Sequence, residues 1–444
     1  MTKYKTSNYN YLIDYNNKKL LFNGITGAGF CMSLDEYELL FPLLSDLSQF
    51  KENYPEDFLR LKELGYIVDE DFDEITYLKY KNREAVFLNK DYRLVINPTL
   101  ECTFNCWYCY EKHPIGFMNA DTIERVKNHL MLKIKNKEIT SLNLSWFGGE
   151  PLMYYYEVIL PLAKFAQKVC LENDVRYYSS ITTNAYLIDE QMIDSFNDIN
   201  MKGFQITLDG GRDRHNKIRN HNGQPSYDII LKNINLLCEK IDKIDIIMRI
   251  NYDEKTLKLK GIDEILTDVK QENRDKIHIN LQRVWQTFSK KHTINADLLK
   301  FIEKAKELGY KYASNNGGLT VGEYHTCYVS RINHLEINYD GKIYKCTARG
   351  YDDEYIVGEM LNNGAIKWNN KKICKVYATP AFDNEMCLKC IYLPICSGPC
   401  PQKMIETAYE NLQSICLLRN TEQPIKDMIV NLYESSLKEK NLSI

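Results

Sequence analysis

The sequence predicts an α/β protein. Its centre is a partial (β/α)6 barrel, preceded by a winged-helix-like module and followed by a cysteine-rich domain. Three observations carry this prediction. Residues 92–285 alternate six apolar, β-branched runs with five amphipathic segments of helical period. Residues 1–90 have a hairpin-and-helix pattern of their own. Eight of the fourteen cysteines lie between 327 and 416, where the helical pattern thins out. A chain of 444 residues is too long for one core. The expected boundaries are 1–90, 91–310 and 311–444.

In the first segment, "YNYLIDYNNKKLLFNG" alternates about an Asn-Asn-Lys-Lys turn and reads as a hairpin. "SLDEYELLFPLL" opens with a Ser N-cap and has Glu three residues later, a capping box. "PEDFLRLKELG" begins with Pro and ends with Gly, as helices often do. "YIVDED" reads as a short strand. Such a module either recognises a peptide or buttresses the barrel.

The six strands are expected at "YRLVINPT", "SLNLSWFGG", "YYSSITTNA", "GFQITLDG", "IDIIMRINY" and "IHINLQRVW". Helices are expected between them at "TIERVKNHLMLKI", "YEVILPLAKFAQKVC", "DEQMIDSFNDI", "YDIILKNINLLCEKI" and "IDEILTDVKQE". Repeated βαβ units make a parallel sheet with right-handed crossovers. Chemistry in such folds gathers at the C-terminal ends of the strands. Four unusual loops follow the first four strands: a cysteine trio, "GGEP", "TTNA" and "LDGG". Strand order alone places them on one rim.

A net charge of −3, with 44% hydrophobic and 26% charged residues, describes a soluble globular chain. It gives no electrostatic reason to expect nucleic acid or a membrane surface. The N-terminus has no apolar run of signal-peptide type, and no 18-residue apolar stretch occurs. The expectation is a cytoplasmic protein whose clustered cysteines bind metal instead of forming disulfides.

"PTLECTFNCWYCYEK" holds Cys102, Cys106 and Cys109 in a C-x3-C-x2-C pattern. Three thiols are one short of a tetrahedral zinc site, which His113 could close. The alternative is a [4Fe-4S] cluster with one iron left open to a small chelating ligand. The spacing, with aromatic Tyr108 before the last cysteine, resembles the radical S-adenosylmethionine (radical SAM) superfamily. The resemblance implies that the methionine amino and carboxylate groups of S-adenosylmethionine occupy the open iron. It implies cofactor-binding roles for Gly148, Gly149 and Glu150 of the GGE motif and for Asn184 near the ribose. It extends them to Tyr108, to Thr207 and Asp209 after the fourth strand, and to Arg219 as a carboxylate partner. Backbone approach at the glycines is expected to need the missing side chains. Phe104, Trp107 and Tyr110 either shield the cluster or pack the barrel mouth. Reductive cleavage of the sulfonium would give a 5′-deoxyadenosyl radical. A one-electron donor such as flavodoxin or ferredoxin is then implied.

"HLEINYDGKIYKC" alternates about Asp-Gly, a hairpin signal that draws Cys327 toward Cys346. "CLKCIYLPICSGPC" supplies Cys387, Cys390, Cys396 and Cys400, and Cys416 follows. This order is similar to the SPASM domain, which implies two auxiliary [4Fe-4S] clusters and three clusters in all. One takes Cys387, Cys390, Cys396 and Cys416. The other takes Cys327, Cys346 and Cys400, closed by Cys374 or left open. Cys31, Cys170 and Cys238 sit in apolar surroundings and read as core.

The resemblance also implies a peptide or protein substrate: a ribosomally made precursor given a thioether or carbon-carbon crosslink, its leader docked on the N-terminal module. Sulfatase-maturing relatives place Asp after the second SPASM cysteine. Here Thr347 stands there, with Asp352 and Asp353 as possible substitutes. A non-catalytic cluster protein that binds a peptide is the alternative of another class. No side chain is singled out as catalytic base.

Overall fold

The computed structural model describes residues 3–253, 256, 259–284, 286, 296–312, 319–325, 327–377, 381–406, 414–418 and 425–441. They fall into two compact units that do not follow chain order. One comprises 1–89, 316–332 and 374–444. The other comprises 90–315 and 333–373.

The second unit is built on an eleven-stranded sheet among the described residues. Its strands are β1 (Asp91–Ile96), β2 (Ser141–Trp146), β3 (Arg176–Thr183), β4 (Met201–Thr207), β5 (Asp245–Tyr252), β6 (Ile277–Arg283), β7 (Lys311–Tyr312), β8 (His334–Ile337), β9 (Lys342–Tyr344), β10 (Gly358–Met360) and β11 (Ile366–Trp368). The order is β7-β6-β5-β4-β3-β2-β1-β8-β9-β10-β11. Neighbours from β1 to β7 are parallel throughout, the pattern expected of consecutive βαβ units.

The crossover helices are α1 (Ala120–Lys135), α2 (Leu160–Glu172), α3 (Glu190–Asp198), α4 (Tyr227–Lys240) and α5 (Leu259–Asp268). Each of the five expected helical segments is found. Asn119 caps α1 through the Thr122 amide, and Asp189 caps α3 through Met192. Val126, Leu130 and Ile134 form the buried stripe of α1 at helical spacing.

The Asp-Gly hairpin forms as expected. Asn338 N–H donates to the Lys342 carbonyl, and Gly341 turns with φ +83°. Its placement has no local signal in the sequence. β8 pairs parallel with β1, Glu336 opposite Val95, so the hairpin continues the barrel sheet past its first strand. Gly364, after β10, touches α1: a Cβ there would lie 2.3 Å from the His129 amide nitrogen.

The first unit contains the N-terminal segment. Asn10–Tyr15 and Lys18–Asn23 form the expected hairpin, turning at Asn16 and Asn17, both at positive φ. Gly29–Met32 pairs with its second strand. The capping box of Ser33 and Glu36 is present at the head of Leu34–Leu43. Pro55–Glu63 is helical, and Ile67–Asp69 pairs with Tyr4–Thr6. Among the described residues, no helix is long and apolar enough to cross a membrane.

Candidate functional site

Sheet register determines which side chains share a face, because paired residues in a parallel ladder point to the same side. On β1 and β2, Tyr92, Leu94, Leu142, Leu144 and Trp146 are buried, and Tyr92 reaches His129 of α1 at 2.6 Å. These alternate residues face the helices. The opposite face carries Asn143 and Ser145 of β2, Ser180 and Thr182 of β3, Gln205 and Thr207 of β4, Arg249 and Asn251 of β5, and Asn280 and Gln282 of β6. Ser145 and Ser180 hydroxyls meet at 2.8 Å, and Gln282 donates to Asn280 at 2.7 Å. A parallel sheet covered on both sides would be apolar on both. Val95, Tyr178 and Ile247 share these rows, so the inner face is mostly polar and partly exposed and is not a second apolar core.

The cysteine loop joins β1 to α1 at the C-terminal rim. Its base is closed by Met118 N–H on the Pro98 carbonyl and by Gly116 N–H on Glu101 Oε1. Tyr154 also donates to Glu101, and its ring stacks on Phe117 at 4.3 Å. Cys106 lies within electrostatic range of both Cys102 and Cys109. Burial pushes the Cys102 thiol up to about 12, with Glu150 adding to it, and the Cys109 thiol up to about 11, with Glu111 adding. Burial also raises Cys106. Burial raises the core thiols Cys170 and Cys238 in the same way, so the elevation reports burial, and a metal that bound the trio would take them as thiolates. His113 is turned to the Leu100 carbonyl, with Nδ1 at 2.8 Å. Among the described residues, no group of three His, Cys, Asp or Glu side chains has the spacing of a single metal ion.

The GGE loop is pressed against the cysteine loop. A Cβ on Gly149 would lie 2.0 Å from the Glu101 carbonyl oxygen, and one on Gly148 would lie 2.8 Å from both Asn97 Cβ and the Thr99 carbonyl. Both glycines have positive φ. The missing side chains thus serve contact with the protein's own backbone, beyond the cofactor approach expected from the sequence. Glu150 is fully buried. Its carboxylate accepts from Thr183 Oγ1 at 2.7 Å, the Asn184 amide at 2.7 Å and the Leu152 amide at 3.1 Å. Asn184 donates to Thr103 at 2.9 Å, tying the loop after β3 to the cysteine loop.

Opposite them, Tyr108 is a hub. Its hydroxyl donates to Asp209 and accepts from Arg219 at 2.9 Å and Asn251 at 3.3 Å. Arg219 lies over the Phe104 ring, 5.6 Å from its centroid, and 3.7 Å from Asp209. Burial works against its charge, but Tyr108, Cys106 and Asp209 outweigh that and hold the guanidinium protonated. Its Nε is buried without a partner. Thr207 sits on the inner face, in register with Arg249. Phe104 is buried, whereas Trp107 is exposed.

Residues 96–258 match the family model of the radical SAM superfamily. This segment is a radical SAM domain. The chain is also similar in fold to solved structures of native anSMEcpe with bound AdoMet. The match has a TM-score of 0.54 at 16% identity, covering 78% of this chain and 97% of that one. The same protein with AdoMet and the Cp18Cys peptide gives 0.56 at 17%, with the same shares covered. Streptococcus suis SuiB bound to precursor peptide SuiA gives 0.49 at 18%, over 91% and 97%. No curated protein matches the sequence.

The radical SAM domain's residues suit a [4Fe-4S] cluster and its sulfonium ligand. Three soft donors share one loop, and a buried guanidinium nitrogen beside Cys106 lacks a partner. In such a cluster each thiolate binds a different iron, so its ligands stand farther apart than those of one ion. Outside the domain, Cys387, Cys390, Cys396 and Cys416 are also mutual neighbours. Burial raises Cys396 to about 12, and the other three thiols add to it. Cys327 and Cys400 belong to the first unit and Cys346 to the second. Cys374 is exposed on the helix Asn370–Tyr377. Cys170 and Cys238 are buried, as core residues should be, while Cys31 is only partly so.

Proposed function

We propose that the chain is a peptide maturase that removes hydrogen from a ribosomally made precursor and installs a thioether or carbon-carbon crosslink. The carrying observation is the mostly polar inner face of the sheet, with the three-thiol loop at its C-terminal rim. On this reading it is the wall of a chamber that would offer amides, hydroxyls and Arg249 to a peptide where the radical would form. When bound, the cluster at Cys102, Cys106 and Cys109 and its S-adenosylmethionine supply one-electron cleavage of the sulfonium and a carbon radical that abstracts hydrogen.

The chain's own residues do the rest. Gly148 and Gly149 hold the cysteine loop at a fixed depth. Glu150 locks the loops after β2 and β3 together. Arg219 turns a buried positive charge toward Cys106, where an anionic carboxylate is favoured. Cys387, Cys390, Cys396 and Cys416 would hold one auxiliary cluster. A second auxiliary cluster, as the SPASM resemblance implies, would give an electron leaving the substrate an acceptor.

The sulfatase-type alternative needs a free carboxylate near Cys346. Asp352 is paired with Lys112 at 2.5 Å and Asp353 with Lys342 at 3.1 Å, which favours the crosslinking reading. The test is anaerobic incubation with dithionite and S-adenosylmethionine. The wild-type protein should release 5′-deoxyadenosine, and Cys106→Ala should release none. Coexpression with each short reading frame beside the gene should then yield a peptide lighter by two hydrogens. No release from the wild-type protein would leave a non-catalytic binder.

A further inference from the structure

Of the carboxylates around the cysteine loop, most are spent. Glu150 serves three protein donors, Asp209 serves Tyr108 and Asn251, Glu101 serves Gly116 and Tyr154, and Glu111 accepts from the Gly149 amide at 2.8 Å. Glu336 is different. It stands on β8 opposite Val95, so it shares the inner face with Asn97 and the polar rows. It is fully buried, yet only Oε1 is engaged, by the Tyr351 hydroxyl at 2.5 Å and Asn97 Nδ2 at 3.5 Å. Oε2 has no partner, and neither has the buried Oδ1 of Asn97. Asn97 in turn abuts Gly148. A carboxyl with one free oxygen thus lies one side chain away from the GGE loop.

We propose that Glu336 is the proton acceptor for bond formation in the chamber. This rests on the maturase reading above. As the peptide's carbon radical bonds to a thiol sulfur or a second carbon, one S–H or C–H bond breaks. Its proton passes to the Glu336 carboxylate, and the surplus electron passes to an oxidised iron-sulfur centre. Tyr351 steadies the carboxylate through Oε1 and leaves Oε2 to take the proton.

Burial raises this carboxyl to about 7; Tyr351 and Asn97 oppose the rise and the Glu111 charge adds to it. Tyr110, which feels Glu111, Arg249 and Glu336, and Tyr344, which feels Glu336, Asp340, Asp352 and Asp353, also face it. Glu336 therefore exchanges its proton in the physiological range.

Two measurements test this. In the anaerobically purified protein, infrared titration should show a protonated-carboxyl band with a midpoint near 7. The band should vanish in Glu336→Gln, and in Tyr351→Phe its midpoint should rise, because a donor to the charged form is lost. With the peptide found by coexpression, Glu336→Gln should release 5′-deoxyadenosine within a factor of about two of wild type while crosslinked product falls roughly 100-fold. A titration lacking any Glu336-dependent carboxyl overturns the proposal, as does an equal fall in deoxyadenosine and product. If the wild-type protein cleaves no S-adenosylmethionine, the maturase reading fails, and the infrared band still decides whether Glu336 holds the proton.

Discussion

Asp209 and Arg219 are buried charges that neutralise each other through the Tyr108 hydroxyl. Removing one partner leaves the other uncompensated, which costs about 3–5 kcal/mol. Arg219→Met and Asp209→Asn should each lower stability in urea by that order. The double variant should lose less than the sum, and strict additivity would mean the groups are uncoupled. A second polar chain supports the same corner. Asp209 N–H donates to His215 Nδ1, so the imidazole proton lies on Nε2 and faces Ser226, which donates to the Arg219 carbonyl. Burial, with Arg219 nearby, pushes His215 down to about 3. The unfolded chain then binds a proton that the folded one refuses, and stability falls as pH drops below about 6.5 toward 3. Glu336 acts in the opposite direction. Its folded state holds the proton more tightly, so stability falls as pH rises from 4.5 to about 7. Glu336→Gln should remove that alkaline-side loss, on the order of 3 kcal/mol, and leave the acid-side loss unchanged in melts across pH.

At the scale of elements, the contact between the GGE loop and the cysteine loop sets where the trio stands. Gly149→Ala would drive a methyl group into the Leu100 and Glu101 carbonyls, at a backbone φ of +42°. Backbone cannot yield there as a flexible side chain would, so the cysteine loop must move. The variant should fold but retain less iron at Cys102, Cys106 and Cys109 than wild type, as read by anaerobic reconstitution and iron analysis. Unchanged iron would show that the loop tolerates the shift. The strands, helices and Cys102–Cys109 spacing were legible because each is encoded locally, by period, cap or interval. The attachment of β8 to β1 was not, since parallel pairing leaves no local signal. Glu336 lacks a local signal for the same reason. "HLEI" reads as an ordinary alternating strand, and only the register opposite Val95 puts its carboxyl inside the barrel. The sequence marks Tyr108 as an aromatic ring beside Cys109, whereas its hydroxyl network depends on residues far along the chain.

At the scale of the molecule, the N-terminal hairpin has two faces with different duties. Leu21 and Met32 pack with Phe50, Phe58, Leu61, Tyr66 and Ile67, the module's own core. Tyr11, Ile13, Leu20 and Phe22 project to the other side and pack with Leu319, Ile395, Cys396, Met428, Ile429 and Tyr433. The alternation Leu20, Leu21, Phe22 sends successive side chains into separate cores, as a strand must. Tyr11 also donates to the Ile391 carbonyl at 2.8 Å. The module therefore supports the segment that carries Cys387, Cys390, Cys396 and Cys416. Deleting residues 1–89 would strip one wall from a core that includes a cysteine of that set. Burying four large side chains is worth roughly 1.5–3 kcal/mol each, comparable to the stability of a small domain. On the proposed cluster assignment, the truncated chain should keep iron at Cys102, Cys106 and Cys109 yet lose the iron proposed for Cys387, Cys390, Cys396 and Cys416, and protease should cut it within 381–406. A truncated protein with full iron content and an intact C-terminal segment would show that the module is a separable attachment.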